Sequence, residues 1–553
     1  MSKPELPQRM TSVDAMFLYT EHPTAPMHIG GLSIIEGDLD QSTLAAFLNS
    51  KMHLMPRYRQ RIVTAPLNVG HPTWQDDPNF DINNHVESVT LPEPGSTIQL
   101  QRVASAHFAG MLDRDKPLWK VIVIRGIEGN RSALLWLVHH CMVDGVSGAE
   151  LLSIAFDTAP NSEIAEPKPY EPDVPSDTEA SRWQNVWEGV GDQVEAWSEF
   201  QRSWVGWARN MRLGKGLPAL RELPSLLQQT SRPTKRLPFN KYDFSGKRRL
   251  AWTTCSFAEA RAIRSALGGT VNDVILATLG SAVRRYAIHH GIKVKNTSLR
   301  VMVPVSLRQE SERGTLGNKV SLLPVDIPLG TEDPVERLQA ITSRTTLLKQ
   351  SKVADLLNLV TQGWQGATPP AIQALLGSIV FAQQSQNVMN FALRSPGMHM
   401  VCTNVPGPQI PLYVLGNRVL HHFPLLPVAP GMGLNVGVFS YNQCVHFGFI
   451  ADSNAMRDIS RFRDYFADAF KEIRTAAGVP ETEPIQIKLP KKEHIAPKKK
   501  AAVPKKKSAA KKKAAKKKVT AKGAAKNGVA KKPATKRKVK AKAKPLASVE
   551  SSE

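Results

Sequence analysis

The chain has 553 residues, 42% of them hydrophobic, with 40 prolines and 36 glycines; it is too long for one ordinary hydrophobic core and too mixed for a fibrous protein. Its net charge of +24 is concentrated at one end: residues 491–553 hold 24 Lys and Arg against 3 Glu. Only +3 remains for residues 1–490, which excludes a general electrostatic case for nucleic-acid binding by the body.

The opening MSKPELPQRM has no signal-peptide apolar core, and no run approaches the ~18 apolar residues that cross a bilayer. A cytoplasmic chain without a transmembrane segment is expected. Cys141, Cys255, Cys402 and Cys444 form no CxxC pair, so neither a disulfide framework nor a zinc ribbon is indicated. Across residues 1–158, short apolar runs (GGLSIIEG, WKVIVIRGI, SALLWLV) alternate with helical stretches at Leu44–Leu54 and Leu100–Ala109, an α/β pattern. Residues 159–240 begin with the linker-like APNSEIAEPKPYEPDVPSDT. They continue into a stripe of Trp183, Trp187, Val190, Val194, Trp197, Trp204 and Trp207 at helical spacing. That stripe suits a helix packed on the body or one lying on a membrane surface, and no residue in it decides.

Residues 241–480 repeat the α/β alternation: RRLAWTTCSF as strand, VNDVILATLGSAVRRYAIHHG as helix, SLRVMVPVSL as strand and DPVERLQAITSRTTLLKQ as helix. A strand pair then turns at Tyr441–Gln443, and a last helix carries Met456, Ile459, Phe462, Phe466, Phe470 and Ile473 on one face. Residues 481–553, with PKKKAAVPKKKSAAKKKAAKKK at their centre, combine like charge with few large apolar side chains and are expected to be disordered. Such a tail suits nucleic acid or an anionic lipid surface as partner.

The chemistry concentrates after the apolar run Ala133–Val138, in His139-His140-Cys141-Met142-Val143-Asp144-Gly145. Neighbouring side chains in extended backbone point to opposite faces, so one histidine should act and the other support it. Asp144 can pair with a histidine or bind an arginine and pin the loop, and Gly145 permits backbone that a larger residue resists. Metal binding through vicinal ligands is geometrically poor, and no metal site is expected. No G-x-S-x-G elbow supports a serine hydrolase.

HHCMVDG matches the HHxxxDG signature of the superfamily that contains chloramphenicol acetyltransferase, peptide-synthetase condensation domains and wax ester synthases. With TSVDAMFLYTEHPTAPMHIGGLSIIEG, DRDKPLWKVIVI, PFNKYDFSGKRRLAW, TVNDVILATLGSAVRRY, VMVPVSLR, GTLGNKVSLLPV and TNVPGPQIPLYVLG, the chain resembles the bacterial wax ester synthase/diacylglycerol acyltransferase family from about Met10 to Ala477. The Lys/Ala-rich tail is outside that pattern. The resemblance implies two similar chloramphenicol acetyltransferase-like α/β domains with the active site at their interface. It also implies His140 as proton acceptor, His139 as an orienting group, and Asp144 as a loop anchor held by an arginine, for which Arg308 is the candidate. Asn272 and Asp273, with Pro117, Leu118 and Trp119, are candidates for positioning substrate. For Asn272 the alternative is capping of the following helix, and for Pro117-Leu118-Trp119 it is core packing. Asn404-Val405-Pro406-Gly407-Pro408 reads as a structural turn.

The implied substrates are fatty acyl-CoA and diacylglycerol or a long-chain alcohol, with no cofactor. The implied location is the cytoplasm, with contact to the inner membrane face or lipid inclusions left open. Two rival readings remain: transfer to a specialised lipid or polyketide alcohol, and a catalytically idle fold that binds nucleic acid or membrane through its tail.

Overall fold

The computed structural model describes residues 8–64, 70–143, 234–306, 320–350, 370–381 and 397–482, with 152, 154–160, 164–168, 170, 191, 198, 201 and 368 besides. In the first half, α1 (Ser12–Thr20) starts where the Thr11 hydroxyl accepts from the Asp14 N–H. β1 (His28–Glu36), α2 (Gln41–Lys51) and the small hairpin β2 (Gln60–Val63) with β3 (Thr73–Asp76) follow. Then come β4 (Val86–Thr90), α3 (Thr97–Ala109), β5 (Trp119–Ile127) and β6 (Arg131–His139). The expected helices at Leu44 and Leu100 are thus α2 and α3, each starting a turn earlier because Asp40 and Ser96 cap them.

The second half opens with β7 (Arg248–Ser256), α4 (Phe257–Leu267), α5 (Val271–His289), β8 (Ser298–Ser306), β9 (Val320–Pro328) and α6 (Pro334–Gln350). It continues through α7 (Pro370–Phe381), β10 (Met400–Pro406), β11 (Tyr413–Val414) and β12 (Asn417–Leu425). It ends with β13 (Leu434–Tyr441), β14 (Cys444–Asp452) and α8 (Ile459–Ala476). The β13–β14 turn uses Asn442 and Gln443 at φ of 45° and 63°, as a two-residue hairpin requires. Ile459, Phe462, Phe466, Phe470 and Ile473 form the buried face of α8.

The strands form two six-stranded mixed sheets, β11-β12-β1-β6-β5-β4 and β7-β14-β13-β10-β8-β9. The expected boundary at residue 241 therefore separates sequence but not sheets. β12, from the second half, pairs antiparallel with β1 and closes an edge that the first half leaves open. The two α/β halves, each built around one six-stranded sheet, pack within one compact unit.

β12 also lies against the second sheet: Trp252 of β7 stacks on Phe423 at 5.6 Å. A Cβ on Gly448 would come 1.9 Å from the Pro424 carbonyl oxygen, so only glycine lets β14 approach this closely. Tyr170, in the expected surface linker, lies over the Arg59 guanidinium, so this part of the linker is packed on the first half. At 481 and 482, where the tail is expected to begin, Glu481 pairs with Arg474 and the Thr482 N–H donates to Glu259. The rest of the tail and all seven residues of the Trp183–Trp207 stripe lie outside the described residues. Among the described residues no single helix is long and apolar enough to cross a membrane.

Candidate active site

β6 runs as buried apolar strand to His139, and a single 3₁₀ turn, His140–Met142, begins at the next residue. The two histidines separate by environment. His139 is fully buried; its Nδ1 accepts from the Cys141 backbone N–H at 3.2 Å and so caps the turn that carries His140. Its Nε2 faces Glu21 Oε1 at 3.4 Å.

His140 is half-buried. Its ring stacks on Phe17 of α1 with centroids 3.8 Å apart and planes 5° from parallel, and its N–H donates to the Met27 carbonyl at 2.9 Å. Stacking on one face and the main-chain bond fix how the ring is presented, which is the condition for proton transfer at a set position.

Glu21 is the residue that sequence reasoning missed. Its side chain is 1% exposed and accepts from the Met27 N–H at 3.1 Å and from Arg114 at 2.8 Å, besides facing His139. Burial alone would raise its pKa; His139 first, then Arg114 and the Met27 N–H, outweigh this and hold it down at about 2. Glu21 and Arg114 stand inside two quoted segments, TEHPT and DRDKPLW, but nothing in their spacing announces a buried pair. His28, directly opposite His139 across β1 and β6, was also passed over. It is fully buried with Nε2 at 2.9 Å from the Phe108 carbonyl, and burial lowers its pKa to about 4.

Pro117, Leu118 and Trp119 come to the histidine pair through backbone. The Leu118 carbonyl accepts from the His139 N–H at 2.9 Å, and Trp119 pairs with Val138. Trp119 is 3% exposed, bonds the Tyr58 carbonyl through Nε1 and stacks on His85. This is core packing that fixes the strand end.

Asn272 and Asp273 stand in the first turn of α5. Thr270, not Asn272, caps α5, in a reciprocal box with Asp273. Asp273 is 2% exposed, with one oxygen on Thr270 and the other accepting from Thr345, so its carboxylate is committed to structure. Asn272 Oδ1 accepts from Asn404 at 3.3 Å. Asn404–Pro406 continue β10, correcting the expected turn. Asp144, Gly145 and Arg308 lie outside the described residues, and with them the Asp144–Arg308 pair.

The second sheet reaches the site through Arg248. It forms a buried ion pair with Asp452 at 3.0 Å and donates to the Thr24 carbonyl at 2.8 Å, in the same loop as Glu21 and Met27. Among the described residues, His289, His290 and Asp458 are grouped as metal ligands could be, but Arg461 already contacts His289.

This geometry meets two matched regions. Residues 10–275 match the wax ester synthase/diacylglycerol acyltransferase catalytic domain, and residues 316–474 match the C-terminal domain of the same family. The chain belongs to that family. It is therefore an acyl-CoA-dependent O-acyltransferase of the wax ester synthase/diacylglycerol acyltransferase type.

A Mycobacterium tuberculosis protein named as a diacylglycerol O-acyltransferase is 30% identical over 488 residues, 84% of this chain and 90% of its own. A second one from that organism is 30% identical over 465 residues, covering 83% and 94%. The solved wax ester synthase/diacylglycerol acyltransferase of Marinobacter aquaeolei VT8 shares the fold with a TM-score of 0.59 and 24% identity, over 85% of this chain and 100% of that one. The first condensation domain of the calcium-dependent antibiotic synthetase has a TM-score of 0.50 at 13% identity, over 85% and 97%.

Proposed function

We propose that this chain esterifies diacylglycerol, and long-chain alcohols as a second acceptor class, with fatty acyl-CoA. The products are triacylglycerol or wax ester. The observation that carries the reading is the division of labour between the histidines: His139 is buried and occupied as a cap, while His140 reaches the surface of the site with its ring held on Phe17. His140 takes the proton of the acceptor hydroxyl as that oxygen attacks the thioester carbonyl. The tetrahedral intermediate then collapses with loss of the CoA sulfur, to which His140 returns the proton, and no acyl group is bound to the protein.

The preference for diacylglycerol rests on the names of the mycobacterial relatives. Asp144 is read as the loop anchor and Arg308 as its partner. The basic tail is read as an accessory contact to an anionic surface, and contact with the inner membrane face or lipid inclusions belongs to the same reading.

The test is acceptor-dependent release of free thiol from acyl-CoA by wild type and His140→Ala, with diacylglycerol and a long-chain alcohol in separate reactions. The variant is expected to unfold at the same temperature and to turn over ~10²–10⁴-fold more slowly. Undiminished release would overturn the assignment of the base. Release with neither alcohol, from a wild type that transfers to a polyketide-derived alcohol, would overturn the acceptor.

A further inference from the structure

A column of stacked groups runs outward from the segment that supports His139. Trp119 stacks on His85 at 4.4 Å, His85 on Phe80 at 5.3 Å, and Phe80 faces the Arg59 guanidinium at 5.3 Å. The Tyr170 ring centroid lies 4.3 Å from the same guanidinium. Arg59 is 9% exposed, and its Nε is buried without a hydrogen-bond partner. Among the described residues no carboxylate forms an ion pair with it. Asp76 bonds Gln60, and Asp77 accepts from the Asn79 N–H. A desolvated guanidinium without an anion is costly, and two aromatic faces compensate only part of that cost.

Arg59 opens onto a cleft of about 440 Å³, also lined by Asn49, Asn83, Lys168 and the 37%-exposed ring of Tyr170. Among the described lining residues the carboxylate is Asp81, whose Oδ1 accepts from the Asn83 N–H and side-chain amide at 2.9 Å. The volume falls in the range of small-molecule sites.

We infer that this cleft binds a nucleoside phosphate, with the phosphate on Arg59 and Lys168 and the planar base against Tyr170. A guanidinium in the wall of a cleft offers a phosphate a fork of N–H donors, and the nearby Tyr170 ring and Asn83 amide give a base something to stack on and bond. The ligand is a free nucleotide or the nucleotide end of a coenzyme; the shared chemistry is the same. The inference does not depend on the chemistry at His140.

Titration calorimetry of the full chain with ADP and with inorganic phosphate tests it. ADP is expected to bind saturably and more tightly than phosphate, and Arg59→Met, which keeps the stacked stem, is expected to weaken ADP about tenfold or more. Lys168→Ala, at an exposed position, is expected to weaken it less and serves if Arg59→Met does not fold. No saturable binding of ADP, phosphate binding as tightly as ADP, or unchanged affinity in both variants would overturn the site. In an acyl-transfer assay, ADP that competes with acyl-CoA identifies the coenzyme's nucleotide end as the occupant. ADP that binds but leaves the KM for acyl-CoA unchanged identifies a free nucleotide. Because calorimetry needs no turnover, failure of the acyltransferase reading and failure of this site are read separately.

Discussion

At the scale of single residues, the fold depends on imidazoles kept neutral. His28 and His422 are 0% and 7% exposed, and burial lowers both to about pKa 4 from an ordinary 6.5. The unfolded chain then binds protons that the folded chain refuses between these values. Stability is therefore full above about pH 6.5, falls as pH drops towards about 4, and levels off below that for these two groups. Each contributes a loss of up to about 3 kcal/mol. Glu21, held at about 2, adds its own loss only below about pH 4.5. Urea midpoints measured from pH 8 to pH 4 check this, and His422→Gln is expected to flatten the slope. The histidine pair was legible because adjacent titratable residues at a strand end are conspicuous in any chain. Glu21 was not, because a buried acid is distinguished from an exposed one only by the Met27 N–H, His139 and Arg114 that surround it.

At the scale of elements, periodicity was a reliable guide wherever one face is buried. The apolar spacing of α8 and the continuous apolar runs of β5, β6, β13 and β14 give their elements directly. Helix starts needed the caps as well. For Asn272, the pattern Thr-x-x-Asp was overlooked: Thr270 and Asp273 answer each other, and Asn272 is left to meet Asn404. Strand contacts across the two sheets were not legible. Gly448→Ala is expected to force β14 and β12 apart at the Pro424 carbonyl, at a cost of about 1–3 kcal/mol. Gly397→Ala, where a Cβ meets nothing within 4 Å, is the control. Thermal midpoints of the two variants should separate clearly, with only Gly448→Ala displaced.

At the scale of the whole molecule, the second sheet holds the loop that holds the histidines. Arg248 joins Asp452 of β14 to the Thr24 carbonyl, and Met27 three residues on joins His140. Asp452→Asn removes one charge of a buried pair, and the expected cost is about 3–5 kcal/mol, because the Arg248 charge stays buried without its partner. Turnover should fall in the fraction that remains folded, since the loop loses its tether while His140 is intact. A variant with lowered stability and unchanged kcat at a temperature where it is fully folded would show that the tether does not position the site.

The sequence by itself determined the class of fold, the strand-to-turn setting of the histidine pair and the family, because these depend on local periodicity and on contiguous motifs. Tertiary structure decided which chain segments complete the first sheet, since edge pairing of β12 with β1 joins residues almost 400 positions apart, as the 389-residue separation of Ser33 and His422 records. It also decided which charged groups are desolvated: Glu21 and Asp452 are paired, while Arg59 lacks an ion pair among the described residues. A side chain's protonation, partner and exposure are set by what folds against it, and a linear spacing carries none of the three.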